Sequence, residues 1–540
     1  MMERSIFFGP NRVFGEVPLA LFGNKAAVLS RMAEIGVPVP PGFALSVQIC
    51  EEYFAEGRRL PGDVPDLLRQ GISQLEEATG LVFGSARRPL LVSVRSGAPV
   101  SMPGIMETVL NVGLNRETVR GLISRTGNPR FAWDSYRRFL SQFGEVVRGI
   151  HPSEFREILR EVMEQEDVPD ESELATAGVR EAADRFERLF AETGVTFPTD
   201  TMDQLLACTE AVIASWESPR AEAFRRLGLA RDATGTAVVV QAMVFGNLGA
   251  ASGAGVAFTR NPWNGARELT LDFRFGAQGE EVVSGDRSGQ DQVTFARVMP
   301  EQYAALRSLG SLLEREFSDM LDLEFTIEEG RLFLLQCRAG KRTPLAALQI
   351  AVDLVREGLI DEQEGARRLD GIDPDLIRIR RIRGTHSPVA RGTPASGGVA
   401  VGTCAFSAER AEQDAVDGPV VLVRPTASPD DIGGIDAATG LLVARGGRTS
   451  HAAVVARELG VVCVVNCQDL QVDSLRHRCS FGETVVREGE VISIDGDTGD
   501  VFLGEVEVVE ERPDDLLACI RDWPMGDRSS RHQGPVGGRR

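Results

Sequence analysis

The stretch DLEFTIEEGRLFLLQCR, residues 322–338, predicts the element around which the fold is built. Two runs rich in apolar and β-branched residues flank Glu328-Glu329-Gly330, and this pattern is typical of a β-hairpin. A three-residue loop with Gly330 in the left-handed region is a favoured hairpin connection. We therefore predict two antiparallel strands joined by a three-residue loop.

The odd loop length brings polar side chains of both strands to one face of the predicted hairpin, because side chains alternate with a period of two. The four side chains concerned are Asp322, Glu324, Gln336 and Arg338. Two carboxylates and an amide oxygen suit Mg²⁺, and a guanidinium neutralises phosphate, so the face suits a magnesium–polyphosphate. A two-residue loop would split the four between the faces. On the pattern alone, an amphipathic hairpin with a solvated polar face remains the alternative.

A second segment surrounds one of the five histidines, His451. The apolar run 440–444 predicts a strand, two glycines predict a tight turn, and Thr449 or Ser450 can cap a helix that begins at the alanines after the histidine. Free N–H groups and the dipole in the first helical turn favour an anion. An imidazole there can act as a nucleophile that accepts a phosphoryl group. A histidine that merely packs a turn is the alternative.

Composition excludes several classes of protein. The 540 residues are 43% hydrophobic and 26% charged, which is typical of a globular chain and not of a disordered one. The net charge of −20 argues against nucleic acid and anionic membranes as partners. No stretch approaches the ~20 apolar residues of a membrane span, and residues 1–14 lack the apolar core of a secretory signal. We therefore expect a cytoplasmic location and, from scattered cysteines, reduced thiols.

Pattern changes along the chain predict the domain organisation, which we summarise by residue range. Residues 1–345 form a nucleotide-binding domain, with a mostly helical insertion at 116–230 where glycine and β-branched residues become scarce. Residues 346–395 comprise helices and a linker, of which 370–395 is rich in arginine, glycine and proline. Residues 396–508 form a second compact domain, and the polar tail 509–540 is predicted to be disordered.

Several stretches together resemble the pyruvate phosphate dikinase and phosphoenolpyruvate synthase group. They are LVSVRSGA at 91–98, SMPGIMETVLN at 101–111, GAGVAFTRNP at 253–262, AQGE at 277–280, the hairpin at 322–338 and the histidine segment at 445–457. The resemblance extends over about residues 10–508 and implies an α/β (α+β) fold. An ATP-grasp-type nucleotide-binding domain would be followed by a small swivelling β/α phosphohistidine domain.

The resemblance also implies roles for individual residues. Lys25 and Arg95 would bind the phosphates of ATP, and a loop with Ser101, Met102 and Gly104 would close over them. Glu324 and Gln336 would hold Mg²⁺, with Asp322 alongside. Arg338 would stabilise the transferred phosphoryl group, and His451 would be phosphorylated. One departure concerns the first lysine. The family usually has Gly-Gly-Lys-Gly, whereas this chain has Gly23-Asn24-Lys25-Ala26, and fewer glycines restrict the approach of backbone to phosphate.

The implied activity is transfer of the β-phosphoryl group of ATP to His451, with phosphate as second acceptor, which gives AMP and pyrophosphate. The family's pyruvate site lies in a (β/α)₈ barrel of about 250 residues. Only about 30 residues follow 509, so we expect that barrel to be on another polypeptide. Two alternatives remain open: a phosphotransferase for a different small-molecule acceptor, and a non-catalytic nucleotide-binding regulatory module.

Overall fold

The computed structural model describes residues 4–10, 17–99, 106–226, 233–279, 292–448 and 450–524. The chain divides into two compact units. The first comprises Met1–Ala250, Ile327–Glu329 and Phe333–Gln336, and the second comprises Ala251–Thr326, Gly330–Leu332 and Cys337–Arg540. The predicted nucleotide-binding domain, 1–345, is therefore divided between the two units and does not form one of them.

The first unit contains a five-stranded antiparallel sheet. In spatial order its strands are Ser5–Phe8, Gly42–Leu45, Ala237–Ala242, Val92–Gly97 and Thr108–Val112. Every residue of the central strand Ala237–Ala242 is buried, which explains its apolar sequence, interrupted only by Gln241, whose Nε2 donates to Pro40 O. Two further residue pairs, Val82–Phe83 and Pro89–Leu90, form a short parallel ladder.

Helices make up most of the remaining first unit. They are Leu19–Glu34, Val47–Ala55, Val64–Thr79, Arg116–Thr126, Pro129–Arg148, Pro152–Glu166, Thr176–Glu192, Thr201–Ala214 and Pro219–Arg226. The predicted insertion at 116–230 is thus mostly helical over its described residues. Phenylalanines at contacting positions, such as Phe143 and Phe190 with ring centroids 6.4 Å apart, form its core.

The second unit begins with a four-stranded sheet. Its spatial order is Arg331–Ala339, Leu321–Glu328, Gly253–Phe258 and Thr270–Phe275. We call Leu321–Glu328 and Arg331–Ala339 the hairpin, and its residues are shared between the two units. The helices of this part are Gln292–Val298, Pro300–Phe317, Pro344–Arg356 and Glu362–Arg368.

The second unit also contains the predicted second domain as an eight-stranded mixed sheet. In spatial order the strands are Ala390–Arg391, Asp500–Leu503, Val491–Asp495, Val399–Ala405, Val420–Arg424, Gly440–Val443, Val462–Val465 and Thr393–Ser396. Its helices are Ala408–Asp414, Ile432–Ala437 and His451–Leu459, and a small sheet adds Leu470–Asp473, Arg478–Phe481 and Thr484–Arg487. We call residues 390–503 the histidine module and His451–Leu459 the histidine helix.

The chain enters and leaves the histidine module through a two-stranded antiparallel ribbon. The strand Ile379–Ile382, in the predicted linker, pairs with Val508–Glu511, which begins at the last residue of the predicted second domain and continues into the predicted disordered tail. The tail prediction is wrong for its described part, because the helix Asp514–Cys519 follows and Ile520 and Trp523 are buried. Apolar contacts of these two side chains outweigh the polar local composition. The remainder of the predicted tail, 525–540, lies outside the described residues.

No helix among the described residues combines the length and the apolar character that a membrane crossing requires.

Candidate functional site

The turn of the hairpin differs from the prediction. The first strand ends at Glu328 and the second begins at Arg331, so the loop has two residues and not three. Glu329 has φ 47° and Gly330 has φ 79°. Positive φ at both central positions is the I′ turn, whose twist matches that of the strands it joins. The predicted three-residue loop is therefore wrong.

A bulge in the second strand compensates for the shorter loop. Counting from the turn would pair Met320 with Ala339, but the N–H of Gly340 donates to the carbonyl of Met320 over 2.9 Å. Such a bond joins directly opposite residues in an antiparallel pair, so the second strand carries one extra residue. The Leu334 N–H donates to Pro38 O over 2.9 Å, a bond outside the hairpin ladder.

The base of the hairpin consequently brings two predicted site residues together. The Nε of Arg338 donates to Oδ2 of Asp322 over 2.8 Å. Alternation along each strand then assigns Glu324 to the face of Asp322, and Gln336 to the face of Arg338. The structure thus joins Asp322 with Arg338 directly, while the placement of the other two rests on alternation.

Burial and charge oppose each other in this ion pair. Asp322 is buried, and burial raises its pKa, while the Arg338 guanidinium counteracts part of that rise. Burial disfavours the charge of Arg338, but Asp322 and Glu324 outweigh it, so the pKa of Arg338 is raised. The arginine is held as a cation beside two carboxylates, which is the state needed to neutralise phosphate.

The same carboxylate fits a divalent cation. Oδ1 of Asp322 is buried and has no hydrogen-bond partner within the described ranges. With Glu324 and Gln336 it would supply only oxygen ligands, the donor set that Mg²⁺ prefers. Within the described parts of the chain, no group of three His, Cys, Asp or Glu side chains could hold a metal ion. The predicted magnesium site therefore depends on the amide of Gln336 as well as on carboxylates.

Lys25 and Arg95, the predicted phosphate-binding residues, lie in the first unit. Arg95 lies on Val92–Gly97 and is half-buried. Lys25 follows a break in the helix Leu19–Glu34, where Gly23 has φ 72° and the Asn24 N–H donates to Ala98 O over 3.3 Å. A Cβ at Gly23 would lie 1.6 Å from Gly97 O. The glycine that this chain keeps before the lysine is therefore required for the helix to approach the end of the strand.

The predicted phosphate loop connects two paired strands. Ser101, Met102 and Gly104 lie outside the described residues. The loop's flanking strands are Val92–Gly97 and Thr108–Val112, and Arg95 is paired with Thr108. Glu107, directly after this loop, is a residue that the sequence did not single out: its carboxyl is partly buried, and burial raises its pKa. Only its position after the loop could have indicated it from the sequence.

The histidine segment agrees with its predicted local structure. The strand Gly440–Val443 precedes the loop, and the helix begins at His451. The Ser450 hydroxyl accepts from the Ala453 N–H over 3.4 Å, which confirms Ser450 as the cap. Thr449, the other predicted cap, lies outside the described residues, and the structure describes the backbone of His451. Its backbone position is the first helical residue, where N–H groups are free to bind an anion.

One residue of the histidine helix was not recognised from sequence. Arg457 is fully buried. Its Nη2 donates to Arg448 O over 2.6 Å and its Nε donates to Ala395 O over 3.2 Å, so it fixes the loop that precedes His451. An arginine directly after the apolar run Ala452–Ala456 was the available signal.

A polar cleft of about 690 Å³ lies in the second unit. Trp263, Arg381, Arg448 and Asp497 are among the residues that line it. Its lining in the described part of the chain includes none of the predicted nucleotide-binding side chains, so it is separate from the hairpin site.

Comparison with known families assigns two segments of the chain. Residues 58–300 match the pyruvate phosphate dikinase AMP/ATP-binding domain, and residues 416–499 match the mobile domain of PEP-utilising enzymes. The chain therefore contains both domains. The first assignment supports the ATP-grasp-type fold predicted for the nucleotide-binding part.

Curated relatives show the same similarity over nearly the whole chain. Pyruvate, phosphate dikinase 1 (chloroplastic) of Arabidopsis thaliana is 44% identical over 531 residues, which are 96% of this chain and 55% of the relative. Pyruvate, phosphate dikinase of Rhizobium meliloti is 42% identical over 526 residues, 94% of this chain and 58% of the relative. That of Clostridium symbiosum is 42% identical over 514 residues, 93% and 58% respectively. The chain thus spans little more than half the length of these relatives.

Proposed function

We propose that this chain is an ATP-dependent phosphotransferase of the pyruvate phosphate dikinase type, which phosphorylates His451. The observation that carries the proposal is the presence, in one chain, of an AMP/ATP-binding domain, of the Asp322–Arg338 pair that follows it, and of a mobile domain whose histidine begins a capped helix. Positioning and electrostatic stabilisation account for most of the catalysis of phosphoryl transfer, and both parts supply them.

The residues of this chain have separate tasks in the proposed reaction. Lys25 and Arg95 bind the phosphates of ATP, and residues 101–104 cover them. Asp322, Glu324 and Gln336 would hold Mg²⁺, which when bound neutralises the polyphosphate. Arg338 stabilises charge on the phosphoryl group in transfer.

The imidazole of His451 forms the new P–N bond to the β-phosphorus. The bond from that phosphorus to the α-phosphate oxygen breaks, which releases AMP, and inorganic phosphate accepts the γ-phosphoryl group to give pyrophosphate. Free N–H groups at the start of the histidine helix then stabilise the phosphohistidine.

The proposed final acceptor is pyruvate, bound by a barrel domain. The names of the relatives support pyruvate as acceptor, and the position of the barrel on another polypeptide stays a prediction. Cytoplasmic location stays a prediction, because the plant relatives are named as chloroplastic.

The test is incubation of the chain with ATP labelled at the β-phosphorus, with and without inorganic phosphate. We expect acid-labile label on the wild type and none on His451→Ala. The matched control is His477→Ala, an exposed histidine of the same module that pairs with Glu488 and should leave labelling unchanged. Absence of label on the folded wild type would leave the non-catalytic alternative, and label that pyruvate and a barrel protein fail to remove would indicate another acceptor.

A further inference from the structure

The histidine helix contains a buried cation. Arg457, six residues after His451, is 0% exposed. Its hydrogen bonds within the described part of the module go to two neutral carbonyls, those of Ala395 and Arg448. Among the residues that the structure describes, its Nη1 has no hydrogen-bond partner. A buried guanidinium is costly unless an opposite charge or an aromatic face compensates it, so compensation must come from elsewhere.

That compensation comes from the four-stranded sheet of the same unit. The Cζ of Arg457 lies 5.1 Å from the ring centroid of Phe258, within the range of a cation–π interaction. Asp322 and Asp272 on neighbouring strands interact electrostatically with the guanidinium. Burial lowers the pKa of Arg457, while Cys463 of its own module and then Asp322 and Asp272 act against that change and favour the charged form.

The contact also reaches the predicted nucleotide site. Asp322 accepts from Arg338 through Oδ2, and Arg457 is the second cation that acts on this carboxylate. The side chains therefore form a sequence of alternating charge from Arg338 through Asp322 to Arg457. This sequence links the residue that would stabilise the transferred group to the helix that begins with its acceptor.

One exposed ion pair and one partly buried cation–π contact accompany the buried one. Nζ of Lys341 lies 3.1 Å from Oε1 of Glu458, with side chains 69% and 43% exposed. The Cζ of Arg448 lies 5.9 Å from the ring of Trp263. Exposed ion pairs contribute little because water screens them, so the buried arginine determines most of the interaction.

We propose that Arg457 is a positioning residue. Through Phe258, Asp272 and Asp322 it holds the histidine helix against the four-stranded sheet of the second unit for phosphoryl transfer to His451. This role of Arg457 rests on the proposed function only for its effect on the rate of phosphoryl transfer. The contact between the histidine helix and the sheet can be measured without nucleotide, so a failure of the proposed function can be distinguished from a failure of the proposed contact.

The kinetic test is a double-mutant cycle in the full chain with Arg457→Lys, Phe258→Leu and both together. The rate of His451 labelling from β-labelled ATP at saturating ATP should fall about 10- to 100-fold in each single variant, because misplaced reacting groups lose rate steeply. The double variant should be no slower than the slower single variant, since both remove one contact. The affinity for ATP should be unchanged, and the control Lys341→Ala should lose less than about threefold.

The independent test is amide hydrogen exchange without nucleotide. Arg457→Lys should speed exchange both in the histidine helix and in Gly253–Phe258. Asp272→Asn and Phe258→Leu, which leave the histidine module untouched, should speed exchange in the histidine helix as well. Two outcomes would overturn the proposal. In the double-mutant cycle, it would be a double variant whose rate loss is the sum, in free energy, of the two single losses. In the exchange experiment, it would be faster exchange of Arg457→Lys confined to residues 445–460, together with unchanged exchange of the histidine helix in Asp272→Asn and Phe258→Leu. If the wild type takes no label, the proposed function fails while these exchange experiments still decide the contact.

Discussion

The hairpin carries residues proposed to act on the nucleotide, and the histidine segment carries the proposed acceptor of the phosphoryl group. The sequence determines the local structure of these two regions in different ways. The histidine segment is determined locally, because Ser450 caps the helix and the first helical residue follows directly. The hairpin depends on a two-residue turn and on a bulge further along, which together set Asp322 opposite Arg338. A site that depends on a helix cap can be predicted from the sequence, because the cap lies next to the helix in the chain. A site that depends on the register of two strands requires the structure.

The largest expected effect concerns the hairpin. Arg338→Ala should lower the rate of His451 labelling by about 10³-fold, because it removes the cation that stabilises the developing charge. Single-turnover labelling with β-labelled ATP measures this. Arg331→Ala, exposed on the same strand, is the matched control, and an equal loss there would show that the hairpin fold and not the charge was responsible.

Asp322→Asn should separate function from stability. Labelling should fall about 10²-fold, since the variant weakens both the cation site and the hold on Arg338. Because burial raises the pKa of Asp322 in the folded state, protonation of this carboxyl stabilises the fold at low pH, and that stability is lost as pH rises through the folded pKa. The amide resembles the neutral carboxyl at every pH, so the wild type should gain stability relative to the variant as the pH falls from 7 to 4. Urea unfolding over this range measures the difference in unfolding free energy, and a wild type that loses stability relative to the variant on acidification would contradict the direction of the shift.

On the histidine side, Ser450→Ala should have a moderate effect. Loss of the cap should cost about 1 kcal/mol of local stability and speed amide exchange at the start of the histidine helix, with labelling reduced about fivefold. Ser407→Ala, which removes the cap of Ala408–Asp414 in the same module, should leave labelling unchanged. If both variants reduce labelling equally, general destabilisation and not the helix start is responsible.

The smallest expected effect tests the turn. Gly330→Ala places a side chain at φ 79° with only Gln302 nearby, so the loss should be about 1 kcal/mol of unfolding free energy. Gly418→Ala has open space and no positive φ, and should leave stability unchanged. Equal unfolding midpoints for the two variants would show that the turn does not set the hairpin.

The sequence predicted what short-range rules control. Ser450, the helix at His451 and the strand before it follow from capping and apolar pattern, and the structure confirms them. The family matches confirm the nucleotide-binding and mobile domains.

The rest depends on contacts between distant residues. The extra residue in Arg331–Ala339 shows no sequence signal, because a bulge is fixed by its partner strand and by the bond from Leu334 to Pro38. The burial of Arg457 and of Trp523 likewise depends on surfaces far along the chain. The roles of Lys25, Arg95, Glu324 and Gln336 stay predictions.

The ribbon at Ile379–Ile382 and Val508–Glu511 has a consequence for engineering. Ile382 is paired with Val508, and directly opposite residues of antiparallel strands have Cα atoms about 5 Å apart. The chain therefore enters and leaves the histidine module at two points that lie next to each other, and the module could be exchanged as a unit. A short glycine bridge could close the gap left by its excision, and a foreign carrier domain could be spliced between the same two residues.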